Sequence, residues 1–282
     1  MMKRLIIYQF IFIALVSQGG TATIEVSAFA NIFGAGHATP PNPGGGSGGI
    51  LPPSYSFAPG SGQMLSFSSV TGQWTLTVGS ALSGADGYFN VASTDINPCE
   101  GISGIQHDGA CFLVGVFLGS DEPTNPAPPS LDFRASGLGT SFVQLSPTLG
   151  QTFYIGDGLT GTGSGIVQQF NVPTNATRLF LGVADAYSYH GDPGYYGDNG
   201  GAVTASFQII TTTPPSLGIS SMGQLVIWAP VGSTNRIEYT SDLWMANWQT
   251  LTNLVIEQTP SNYTDPEFGQ APQRFYRAVL LQ

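Results

Sequence analysis

Charge is what this 282-residue chain has least of. Charged residues make up 9%, against about 25% in an ordinary soluble protein. Lysine occurs once, at Lys3, and 7 basic residues face 17 acidic ones. Gripping a phosphate backbone takes clustered Lys and Arg, so nucleic acid is excluded as a partner. The same shortage excludes polybasic attachment to a membrane surface. Cysteine is limited to Cys99 and Cys111, with no His pair at suitable spacing to complete a zinc site. Helical periodicity is missing nearly everywhere. Disorder does not follow from these gaps, because a solvated chain has few aromatics and this one has 11%.

What is present begins with an export pattern. Lys3 and Arg4 precede a twelve-residue apolar run, Leu5 to Val16, interrupted by Gln9. Gly20 and Ala22 stand at −3 and −1 of a cut after Ala22. The pattern predicts a signal peptide over residues 1–22, since a run this short falls below the ~20 residues that span a bilayer. Without it the chain has a formal charge of −12 and no lysine. The expected location is extracellular or cell-surface, without membrane insertion. An oxidising compartment favours a disulfide between Cys99 and Cys111.

Strand signals are frequent. Trp74, Leu76 and Val78 alternate with polar residues, as do Ile166, Gln168, Phe170 and Val172 with one Gln tolerated. Leu179, Leu181 and Val183 repeat the pattern, as do Val203, Ala205, Phe207 and Ile209. Period two with Val, Phe and Thr marks half-buried strands. Cys111 to Leu118 is continuously apolar and reads as a strand buried on both faces. Pro40 to Pro53 and Asp121 to Ser130 must be loops. The first contains Gly45-Gly46-Ser47-Gly48-Gly49, which fits a G-x-S-x-G elbow formally but lacks the strand and helix that motif needs. The expected fold is all-β: a jelly-roll or sandwich domain over 23–210, a Thr/Pro linker at 211–215 and a small β module over 216–282. Trp244, Trp248 and Phe275 are the expected aromatic core of that module.

The chemistry concentrates in Asp185 to Gly201, DAYSYHGDPGYYGDNGG. It joins two strands, a place where function is often carried. It supplies Asp185, Asp192, Asp198 and Asn199, with glycines that let carbonyls turn inward. Such oxygen donors suit a hard cation like calcium; a merely solvated acidic loop is the other reading. Tyr187, Tyr189, Tyr195 and Tyr196 offer sugar-binding faces or pack the loop onto the sandwich. Of the histidines His37, His107 and His190, His107 reads as structural and His190 as a ligand contact or an exposed side chain.

Three segments resemble the PA-I type galactophilic lectins, a bacterial family of calcium-dependent jelly-roll proteins. One is Gly104-Ile105-Gln106-His107-Asp108-Gly109-Ala110-Cys111, similar to the family's Gly-Leu-Ile-Cys-His-Asp-Ala-Phe-Cys. Another is Pro193-Gly194-Tyr195-Tyr196-Gly197-Asp198-Asn199, similar to its Pro-Gly-Thr-Tyr-Gly-Asn-Asn. The third is the strand Val203 to Phe207. The resemblance implies calcium held by the side chains of Asp185, Asp198 and Asn199 and the Tyr195 carbonyl. Asp192 competes with Asp185 for its place, and an early-loop carbonyl near Thr77 to Asp86 is unplaced. The family's sugar-contacting His loop is matched only by Asn97-Pro98-Cys99-Glu100-Gly101, without the His. Ligand contacts are therefore expected from Asp185, Asp198, Asn97 and His190. The function implied is a secreted, non-enzymatic protein binding a glycan or polysaccharide, galactose-containing ones included, through calcium. The rivals are a structural surface or matrix protein with a calcium site, and a glycosidase using two carboxyl groups. Oligomeric state is left open.

Overall fold

The computed structural model describes residues 21–77, 79–211, 215–220, 223–229, 231, 233–245, 247–270 and 273–281. Residues 1–20 of the expected signal peptide, Val78, and residues 212–214 of the expected linker lie outside them. The chain separates into two units, the first ending at Thr211 and the second beginning at Thr212.

The first unit is an all-β sandwich. Its strands are β1 (Ala22–Ser27), β2 (Ser54–Ser56), β3 (Gln63–Thr75), β4 (Tyr88–Ile96), β5 (Ile105–Ala110), β6 (Val114–Leu118), β7 (Leu131–Asp132) and β8 (Gln144–Leu145). There follow β9 (Thr152–Tyr154), β10 (Leu159–Gly161), β11 (Ser164–Val167), β12 (Gln169–Asn171), β13 (Arg178–Gly182), β14 (His190–Gly191) and β15 (Gly200–Thr211). One sheet has the order β1-β15-β3-β12-β8, and a second β2-β13-β6-β9. A third, β14-β4-β5-β7, lies at the side, and β10-β11 is a hairpin.

The first two sheets share a core. Phe207 and Phe170 of one meet Tyr55 and Phe153 of the other, with Tyr55–Phe207 centroids 5.3 Å apart and Phe153–Phe170 centroids 5.1 Å apart, and Phe67 packs against both phenylalanines of its own sheet. Along β15 the period-two rule operates plainly: Val203, Ala205 and Phe207 are buried, while Thr204 and Ser206 between them are not. Each phenylalanine so buried contributes about 1.5–3 kcal/mol. Gly200 of β15 pairs with Thr75 of β3. That register brings the residue before β15 to the end of the sandwich where β13 also stops.

Several expectations fail here. Cys99 and Cys111 are free thiols, not a disulfide. Ile96 pairs with Ile105 and Tyr88 with Ala110, so Cys99 follows one end of the β4–β5 ladder and Cys111 the other. The six-residue β5 alone spans roughly 17 Å, beyond the ~7 Å limit for a bridge. Burial pushes the Cys99 thiol up to about 11 and the Cys111 thiol up to about 12. Cys111 to Leu118 is not one strand either. Cys111 has φ +67°, a reversal that sends the chain from the β5 sheet to the β6 sheet. Ile166 is 61% exposed, because 164–167 and 169–171 belong to different sheets.

The second unit holds β16 (Ser216–Ile219), β17 (Gln224–Trp228), β18 (Thr234–Thr240), β19 (Gln249–Val255), β20 (Ser261–Thr264) and β21 (Phe275–Leu281). They form the sheets β16-β17-β20 and β19-β18-β21. Among its described residues the buried apolar ones are Leu225, Ile227, Ala229, Ile237 and Ile256, not the expected tryptophans. Trp244 is 98% exposed, on a turn whose amides at Trp244 and Met245 are held by Asp242 Oδ1. Trp248 is half-buried under the Arg277 guanidinium. Among the described residues no helix is long and apolar enough to cross a membrane.

Candidate functional site

The candidate site is built where β13 ends and β15 begins. Past β13, the Asp185 amide donates to the Tyr196 hydroxyl (3.2 Å), which donates to the Val183 carbonyl (3.0 Å). Tyr196 is wholly buried, so its phenol ties the strand end to the returning loop. Gly194 N–H donates to the Asp185 carbonyl at 3.0 Å, and Ala186 bridges to Pro193. The segment thus closes on itself, leaving residues 187–192 as a tip.

Two outside elements fix it. The tip is pinned to the β4 sheet: His190 pairs with Asp95, and the Asn97 amide donates to the Gly191 carbonyl at 2.8 Å. Its base rests on the Pro/Gly loop, where Gly44 N–H reaches the Pro193 carbonyl (2.9 Å). The Tyr195 and Tyr196 amides reach the Gly45 and Ser47 carbonyls (3.0 and 2.9 Å). A Cβ on Gly44 would lie 2.3 Å from the Asp192 carbonyl oxygen, so only glycine permits this approach. The Pro/Gly loop is itself organised by Asn31, a wholly buried residue. Its Nδ2 donates to the Pro41 and Gly48 carbonyls (2.9 Å each), and its Oδ1 accepts from Phe33 N–H (3.0 Å). Sequence reading missed Asn31 and the supporting role of this loop; no local pattern announces either.

Asp185 is 1% exposed and Asn199 6%. Asp185 Oδ1 accepts from Ala186 N–H at 2.8 Å, and Asn199 Nδ2 donates to the Ala28 carbonyl at 2.7 Å. Asp185 Oδ2 and Asn199 Oδ1 are buried with no hydrogen-bond partner. Burial pushes the Asp185 carboxyl up to about 7. The neighbouring Asn199 side chain and Ala186 amide act against this, and the negative charge of Asp198 adds to it. The structure therefore brings Asp185, Asp198 and Asn199 together. Asp198 is half-buried at the end of a 3-10 turn, Tyr196–Asp198, that Tyr195 precedes with φ +69°.

The remaining candidate residues have partners of their own. Asp192 is exposed and its Oδ1 accepts from Asn97 Nδ2 at 2.9 Å. His190, also exposed, donates from Nδ1 to the Ser188 carbonyl (2.7 Å), and Ser93 Oγ lies 3.3 Å from its Nε2. Both Asn97 and His190 belong to the pinning of the tip against β4. His107 is packed in the core against Phe112 and Tyr154, its Nδ1 accepting from Gly109 N–H at 2.7 Å.

Three of the non-glycine residues with positive φ lie in this loop: Ser188 (52°), Tyr189 (64°) and Tyr195 (69°). Such conformations cost of order 1–3 kcal/mol each and gather at functional sites. Tyr189 reaches across to Thr77, its hydroxyl 2.9 Å from Oγ1, which places the early loop against the site.

Calcium fits this donor set. An unpartnered buried carboxylate oxygen and amide oxygen each cost about 1–3 kcal/mol, and a hard cation answers both. The available donors are carboxylate, amide and carbonyl oxygens, as calcium prefers. Among the described residues no group of three or more His, Cys, Asp or Glu side chains is placed to hold an ion, so Asn199 and a backbone carbonyl are indispensable to the set. Comparison with protein-family models, with curated proteins and with solved structures finds no match for this chain.

Proposed function

We propose that the chain is a secreted, calcium-dependent carbohydrate-binding protein whose lectin-like site lies in the first unit. One observation carries the reading: Asp185 Oδ2 and Asn199 Oδ1, on neighbouring side chains, are both buried without a partner. Asp185, Asp198 and Asn199 would hold the ion through their side chains, with the Tyr195 carbonyl. Bound calcium supplies open positions that accept vicinal hydroxyls of a sugar. Asp198 and Tyr195 lie on the accessible side of the group, where a ligand can arrive. The −12 formal charge of the processed chain favours neutral glycans and repels acidic ones.

A second reading has its own support. Asp185 is 1% exposed, which suits an ion that only braces the loop of a surface or matrix protein. Thermal melting with calcium or EDTA, followed by passage over a neutral-glycan column, separates the two. At a hundred times its Kd, calcium should add about 2.7 kcal/mol, or roughly 5–10 °C for a unit of this size. Asp198→Ala and Asp185→Ala should abolish the rise, while Asp192→Ala should do little. Calcium-dependent retention on the column supports the carbohydrate reading, and a rise without retention supports the brace. No response of the unmutated protein to calcium removes the basis of both.

A further inference from the structure

We infer that Tyr187 and Tyr195 form a stacking platform for a second sugar residue, so that the site takes an oligosaccharide rather than a single sugar. The inference rests on the carbohydrate reading above and specifies its ligand. Four tyrosines crowd this loop, and the structure sorts them into two kinds. Tyr196 is buried and Tyr189 half-buried, their hydroxyls bonded to Val183 and Thr77. Tyr187 is 67% exposed and Tyr195 37% exposed, and their rings touch, centroids 5.1 Å apart at 51°.

The backbone is shaped to present this pair. Tyr195 adopts φ +69°, where a side chain of its kind rarely sits, and its N–H donates a hydrogen bond to the Gly45 carbonyl. A Cβ on Gly46 would come within 3.2 Å of Tyr195 Cδ1; the glycine leaves the space in which the ring is seated. The Ala186–Pro193 bridge and the hydrogen bond from Gly194 N–H to the Asp185 carbonyl close the base of the segment that carries both tyrosines and Asp185. Aromatic faces pack on the C–H face of a pyranose, and phenol hydroxyls serve its rim. Residues 183–211 contain no Lys or Arg and three Asp, so the ligand is a neutral saccharide and not an acidic one.

The test is a neutral-glycan array carrying mono- to hexasaccharides, read in calcium with the full-length processed chain, its Tyr187→Ala variant and its Tyr187→Trp variant. Tyr187→Ala should weaken binding of di- and longer saccharides about tenfold, which is ~1.4 kcal/mol. It should leave monosaccharide binding and the calcium-dependent rise in melting temperature as they are. Tyr187→Trp should restore the longer ligands. Equal oligosaccharide binding by Tyr187→Ala would overturn the platform while leaving the calcium site intact. A protein that responds to calcium and binds nothing on the array overturns the carbohydrate reading, and the exposed pair then points to a protein partner.

Discussion

A single carboxyl group, Asp185, sets how the candidate site answers to pH. Its proton is held up to about 7, against 3.8 ordinarily, because it is buried. A raised carboxyl pKa means that the folded state binds the proton more tightly than the unfolded one. The stability this gives is complete below about pH 4 and is lost as pH rises toward 7. Three pKa units correspond to about 4 kcal/mol as an upper bound. In EDTA, therefore, the first unit should melt at lower temperature at pH 7.5 than at pH 5. Calcium should remove that loss by taking the place of the proton. Asp86, also raised by burial, adds in the same direction, so the informative comparison is with Asp185→Asn. That variant should reduce the difference to the part that Asp86 supplies and gain nothing from calcium. An unchanged pH profile in Asp185→Asn would show that Asp185 is not the titrating group.

At the scale of elements, the loop and strand pair bearing the candidate site were legible, and the support beneath them was not. The alternation of Val203, Ala205 and Phe207 predicts β15, and the Asp/Asn/Gly/Tyr composition of 185–201 marks a candidate site, because both signals are local. The reversal at Cys111 is invisible in a run of apolar residues, since nothing in that run distinguishes one long strand from two short buried pieces. The distance between Cys99 and Cys111 depends on the β4–β5 register, which spacing alone does not give. Asn31 is the clearest omission. It acts on carbonyls at Pro41 and Gly48, and through that loop on Tyr195 and Tyr196. Asn31→Ala takes the donor from the buried bond at Pro41, at about 1–3 kcal/mol, and from the half-buried bond at Gly48, at less. Denaturant melts should show a loss of about 3 kcal/mol, and calcium titration a weaker response, because the seat of Tyr195 shifts. A variant that loses stability but keeps its full calcium affinity would separate the loop from the site.

At the scale of the whole molecule, the two units depend on different interactions. The first buries a large aromatic and aliphatic core. The second is small, and a domain of about 60 residues buries only ~60% of its chain surface. Among the described residues its five buried apolar ones are supplemented by ion pairs: Arg274 with Asp265, and Arg236 and Arg277 with Glu238. Burial disfavours the Asp265 charge, but the Glu267 amide, Tyr276 and Arg274 outweigh it and hold its pKa below the ordinary value. For Glu238, burial is likewise outweighed, here by Arg277 and Arg236. A depressed carboxyl pKa contributes stability that is present above about pH 4.5 and is lost as pH falls below it. Calorimetry of the full chain should therefore show two transitions with opposite sensitivities. Calcium at pH 7.5 should raise one and leave the other in place. Acidification from pH 5 to pH 3 should lower the calcium-insensitive transition, and Asp265→Asn should weaken that response to acid. A single transition that moves with both calcium and acid would mean that the sandwich and the module unfold as one cooperative body.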